Sequence, residues 1–119
     1  MSLSRRLLIV APDADLRRSL EFMLEAEGHE VVAHAALWDA ELTQKFDCTI
    51  VDHRAIAPPY AAVIAFCRQA APVILLAGAP LPWLTELVFR VVQKPLLGSP
   101  LIAAIESALN AGIPPADPK

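Results

Sequence analysis

The chain has 119 residues, 55% of them hydrophobic, with ten basic against thirteen acidic residues and a formal net charge of −3. That length suits one domain with its own core and leaves no room for a second, while the mild negative charge and the short pairs Arg5-Arg6 and Arg17-Arg18 offer no stripe for phosphate backbones, which excludes nucleic acid as a direct partner. No apolar stretch reaches the ~20 residues of a bilayer span and no basic, apolar, small-residue leader precedes the first strand, so a cytoplasmic chain without membrane contact is expected.

Leu7-Leu8-Ile9-Val10 is a continuous apolar run, the pattern of a strand buried on both faces. Asp13 and Asp15 then offer N-caps to a helix whose Leu16, Leu20, Met23 and Leu24 recur at helical spacing, with Gly28 as its C′ residue. His29 to Ala33 reads as a shorter strand that opens on polar residues, which suits a sheet edge. A second helix is predicted from Leu37 to Lys45, and Cys48 to Asp52 forms the third strand.

Pro58-Pro59 closes the next loop and opens a third helix carrying Ala62, Val63, Ala65, Phe66 and Gln69. Val73 to Leu76 is a second fully apolar run and the fourth strand. Residues 77 to 82 break the chain, and only Trp83 to Leu87 remains before the fifth strand, Val88 to Val92. The fourth helix is therefore shortened or missing. Ser99-Pro100 starts the last helix, Ser as N-cap and Pro at N1, with Leu101, Ile102, Ile105, Ala108 and Leu109 as its apolar face and Gly112 as its end. Residues 1–113 read as one domain and 114–119 as a linker-like tail.

Five strands alternating with helices predict an α/β fold with right-handed crossovers, a doubly wound parallel sheet. The all-apolar runs belong in its middle and the runs bearing Glu30 and Arg90 at its edges, which is the flavodoxin-like order 2-1-3-4-5. Cys48 and Cys67 lack ligand spacing and sit among apolar residues, so they read as buried free thiols. His29 and His34 show no metal spacing either, and no metal site is expected.

In such a sheet the chemistry gathers at the carboxyl ends of the strands. The loops there contribute Ala11-Pro12-Asp13, Asp52-His53-Arg54, Ala77-Gly78 and Gln93-Lys94-Pro95. These positions resemble the receiver (CheY-like) domain of two-component response regulators, over about Arg5 to Gly112. In that family two adjacent acids after the first strand help to bind magnesium, and an Asp ending the third strand accepts a phosphoryl group. A Ser or Thr ends the fourth strand, an aromatic lies in the fifth, and a Lys-Pro pair follows it, its peptide bond cis. The resemblance makes Asp52 the phosphoacceptor and Lys94 its phosphate-pairing lysine, followed by Pro95. The acidic pair falls instead on Ala11 and Pro12, the hydroxyl on Ala77 and the aromatic on Val91. Ile56 stands where the family has a proline four residues past the acceptor, with Pro58 two later.

The departures carry a physical consequence. Magnesium is normally held by one or two carboxylates plus phosphate oxygens, and Asp52 beside the cation of Lys94 is a poor start. Asp13 is expected to cap its helix; only a register shift of one residue would turn it to the pocket. Ala77 cannot hydrogen-bond a phosphoryl oxygen and Val91 has no ring to report one. The expected function is an atypical receiver domain that acts by protein–protein contact, without enzymatic activity, with weak or absent magnesium-dependent phosphorylation and no cofactor. Its partner would be a sensor histidine kinase or another domain of a longer chain, with a homodimer through the last strand and last helix as a further contact. Leu81, Trp83 and Leu84, beside the shortened helix, are the candidate contact residues, against the reading that Trp83 folds over the sheet in place of that helix.

A working phosphoacceptor at Asp52 is the first alternative. A small-molecule binder of flavodoxin type is the second, weakened because Pro12-Asp13-Ala14-Asp15 is acidic and poor in free amides. His53 has no nucleophile or oxyanion loop to serve, and strand alternation turns it to the opposite face from Asp52.

Overall fold

The computed structural model describes residues 5–39, 46–70, 72–78, 82–94 and 98–111. The strands are β1 (Arg6–Val10), β2 (Glu30–His34), β3 (Cys48–Asp52), β4 (Val73–Ala77) and β5 (Arg90–Gln93). The helices are α1 (Ala14–Ala26), α2 (Tyr60–Gln69), α3 (Pro82–Thr85) and α4 (Gly98–Ala111), with single 3₁₀ turns at Leu37–Asp39 and His53–Ala55. The strands form one parallel sheet in the order β2-β1-β3-β4-β5.

Strand alternation sorts the core into two layers. Leu7, Ile9, Cys48, Ile50, Ile74 and Leu76 pack with Leu20 and Leu24 of α1 and with Leu101, Ile105 and Ala108 of α4. Leu8, Val10, Val51, Val73 and Leu75 pack on the opposite face with Val63, Phe66 and Cys67 of α2 and with Leu84 of α3. Both faces of the three central strands are thus dry, which is why their sequences are apolar apart from Thr49 within β3 and the end residues Arg6 and Asp52. The edge strands alone expose their first residues, Glu30 and Arg90. Both cysteines are free and buried.

Helix α1 starts and stops as its caps dictate. Asp13 Oδ1 accepts the amide of Asp15 at 2.9 Å, so Asp13 is the N-cap and Asp15 belongs to the first turn. At the other end Gly28 has φ +93°, its N–H reaches the carbonyl of Glu25, and the N–H of His29 reaches that of Leu24. This pair of bonds is the Schellman motif, which needs a left-handed residue at C′.

Three boundaries differ from the sequence-based expectation. Strand β5 begins at Arg90, because pairing with β4 starts at Ile74 opposite Arg90; Val88 packs against the α2-side core from the loop before it. An apolar run reports burial, which a loop can also supply. Helix α4 begins two residues early, at Gly98 instead of Pro100, leaving Ser99 and Pro100 in its first turn, where an amide has no intrahelical partner and proline is tolerated. Of the expected second helix, Leu37–Asp39 is a 3₁₀ turn and residues 40–45 lie outside the described residues. Pro95, Leu81, Gly112 and the tail 114–119 lie outside them too. The helix between β4 and β5 is short as expected, a single turn.

Candidate functional site

The register Val10 opposite Val51 brings the loop that starts at Ala11 beside Asp52, and Asp52 itself is opposite Leu76. Asp52 ends β3 fully buried, as does Ala77 at the end of β4. Its carboxylate is held from three sides. Lys94 follows β5, is anchored by its N–H on the carbonyl of Ala77, and extends Nζ to within 2.5 Å of Asp52 Oδ1. Arg54 places Nε 3.1 Å from Oδ2. His53 Nδ1 lies 3.6 Å from Oδ1 and 3.3 Å from the carbonyl oxygen of Leu76. A contact with a carbonyl is a hydrogen bond only if Nδ1 carries the proton, so that same N–H faces the carboxylate.

The approach of His53 corrects the expectation that it points away from Asp52. Alternation holds along a strand, and the chain leaves strand geometry after Asp52 to enter the 3₁₀ turn at His53, which folds the ring back. The Ile56 N–H on the carbonyl of His53 closes that turn.

Asp13 enters the site indirectly. Its Oδ1 caps α1, and its Oδ2 lies 3.6 Å from a terminal nitrogen of Arg54. One guanidinium therefore faces Asp13 with one nitrogen and Asp52 with another. Close by, Arg17 donates to the carbonyl oxygens of Ala11 at 2.8 Å and Pro12 at 3.3 Å.

Neither the family models nor the curated protein sequences match the chain. Solved structures do. The receiver domain of a sensor histidine kinase from Pseudomonas aeruginosa superposes with a TM-score of 0.74 at 18% identity, covering 91% of this chain and 99% of that one. A response regulator receiver domain protein from Clostridium thermocellum gives 0.71 at 22% identity, over 92% and 96% of the two chains. A chain described as an adenylate cyclase from Rhodopirellula baltica gives 0.76 at 25% identity, over 92% and 90%. The fold is that of the receiver domains. At these identities the receiver fold is divergent here, and the residues of the site carry the functional reading by themselves.

The Pseudomonas receiver domain was solved with magnesium coordinated in its active-site cleft. The donor set of this receiver fold does not fit such an ion. A divalent metal of this kind takes oxygen ligands at about 2.0–2.1 Å in an octahedron. Here Oδ1 of Asp52 faces Lys94, Oδ2 faces Arg54, and the two oxygens of Asp13 face the Asp15 amide and Arg54. The carbonyls of Ala11 and Pro12 face Arg17. Among the described residues no group of three or more His, Cys, Asp and Glu is placed to hold a metal.

Of the residues singled out from sequence, the structure brings Asp52, Lys94, Ala11 and Ala77 together at one edge of the sheet. Pro12 is exposed at the rim and Val91 is half-buried against the α2-side core. Leu84 is not a contact residue: it is fully buried in that core, because α3 is a single turn that turns Leu84 inward. Trp83 remains 42% exposed and packs on Tyr60, ring centroids 5.0 Å apart and 53° between planes. It does not replace a helix over the sheet, since Leu84 does that. The residue missed from sequence is Arg54, which no strand periodicity could place because it lies in the 3₁₀ turn beyond the end of β3.

Proposed function

We propose that this chain is an atypical receiver-type module of two-component signalling that works by protein–protein contact, with weak or absent magnesium-dependent phosphorylation. The observation that carries this reading is that both carboxylate oxygens of Asp52 already face cations, Lys94 and Arg54, in a fully buried position. A phosphoryl group adds about −1.5 to −2 charge, and the loop after β1 offers no carboxylate at Ala11 or Pro12 to recruit a metal against it. Ala77 supplies no hydroxyl at the end of β4, so the bound and free states would differ in few contacts, and a ligand shifts an equilibrium only through such differences. The partner proposed is a sensor histidine kinase or another domain of a longer chain, and a homodimer through β5 and α4 belongs to the same proposal. The module is not proposed to be an enzyme. Among the described residues no helix is long and apolar enough to cross a membrane.

A second reading, a working phosphoacceptor, is favoured by the retained Asp52 and Lys94 pair itself. Incubation with a small phosphodonor and magnesium, followed by intact mass, separates the two. The wild-type chain is expected to keep its unmodified mass. A stable phosphoryl adduct that disappears in Asp52→Ala would reverse the conclusion.

A further inference from the structure

We propose that Arg54 is the protein's built-in replacement for a divalent cation: its guanidinium occupies the gap between Asp13 and Asp52 and thereby shuts the pocket to metal. The inference rests on the receiver-type reading of this pocket, and it adds a cause, carried by one side chain, for the closure.

The geometry is that of a bridge. Arg54 Nε is 3.1 Å from Asp52 Oδ2 and a terminal nitrogen is 3.6 Å from Asp13 Oδ2, so one planar cation neutralises two acids that approach from different loops. Guanidinium suits this role because it keeps its charge at every accessible pH and presents donors along two edges. Its starting point is fixed, since Arg54 is the middle residue of the 3₁₀ turn that follows β3. Its head is half exposed, so the bridge is the outermost layer of the site and Asp52 lies behind it.

A divalent ion entering between the two acids would meet the charges of Arg54 and Lys94 at close range, beside a carboxylate whose burial away from water weakens dielectric screening. Lys94 approaches Asp52 from the Oδ1 side, Arg54 from the Oδ2 side. With Arg54 shortened, Oδ2 of Asp52 and Oδ2 of Asp13 both lose their cation, and two carboxylate oxygens face the vacated gap. Two carboxylates are what a hydrated divalent ion ordinarily takes from a protein. Asp13 also caps α1 through its other oxygen, so turning Oδ2 toward an ion leaves the helix start intact.

The test is a manganese and magnesium titration of the full chain, followed by amide spectra, in which bound manganese broadens nearby signals and magnesium shifts them. The wild-type chain is expected to show no selective effect. Arg54→Ala and Arg54→Gln are expected to gain broadening confined to residues near Asp13 and Asp52, with apparent affinity raised at least about tenfold. Arg54→Lys keeps the charge and should remain silent, and adding Asp13→Asn to Arg54→Ala should remove the gain. Selective broadening of the wild-type pocket at the same concentrations, or no gain in either neutral variant, overturns the proposal. Arg54 is half exposed, and a dispersed spectrum for Arg54→Gln verifies the fold. The titration reads ion occupancy and the phosphodonor experiment reads covalent adduct, so the failure of one is told apart from the failure of the other.

Discussion

The ammonium of Lys94 crosses the end of β4 to lie 2.5 Å from Oδ1 of Asp52, two strands away in the sheet. Ala77 ends β4 fully buried and holds the Lys94 backbone by accepting its N–H at 3.1 Å.

Lys94 is therefore expected to matter more for stability than Arg54. Removing one partner of a buried ion pair costs about 3–5 kcal/mol when the other charge is left alone. Arg54 still faces the second oxygen of Asp52 and the lysine side chain is 22% exposed, so Lys94→Ala should lose about 2–3 kcal/mol. Arg54→Ala, at a half-exposed guanidinium, should lose under about 1 kcal/mol. Urea unfolding of both variants checks the order, and equal losses would show that burial of Asp52 does not set it.

Neighbouring residues on α3 make opposite predictions. Leu84 is fully buried against the α2-side core, so Leu84→Ala should cost about 2–4 kcal/mol through the cavity it leaves. Trp83 meets mainly Tyr60, and a tilted aromatic pair open to solvent contributes about 0.5 kcal/mol. A double-mutant cycle on Tyr60 and Trp83, with Leu84→Ala alongside, measures both.

Alkaline pH should destabilise the fold through its thiols. Burial pushes the Cys48 thiol from 9.0 up to about 12 and raises that of Cys67 as well. The unfolded chain then releases its protons first as pH rises. The Cys48 contribution is whole below pH 9.0 and is lost between there and about pH 12, at up to about 1.4 kcal/mol per pH unit. Denaturation midpoints across that range should fall less steeply in Cys48→Ala. In the native chain neither cysteine should react with a thiol reagent at neutral pH.

Gly28 isolates a backbone effect. An added Cβ would meet nothing within 4 Å, yet φ is +93°. Gly28→Ala is expected to cost about 1 kcal/mol from conformation alone, a fall of about 4 °C in Tm. A thermal melt unchanged by the substitution would mean the turn relaxes.

The sequence by itself determined the architecture. Short, mainly apolar runs alternating with helical patterns point to strands covered on both faces, so residues 7–10, 48–51 and 73–76 belong at the centre and the runs bearing Glu30 and Arg90 at the edges. It also placed Asp52 at the carboxyl edge with Lys94 near it, because the strand order fixes which loops meet. Only the tertiary structure decided what surrounds that carboxylate. The fold-back of His53, the reach of Arg54 between Asp13 and Asp52, and the exchange of roles between Leu84 and Trp83 all depend on how chain leaves a strand or enters a single helical turn. Periodicity reports which face of a regular element is buried. It carries no information where the element ends, and electrostatic partners in this pocket are chosen there, among side chains brought together by loops.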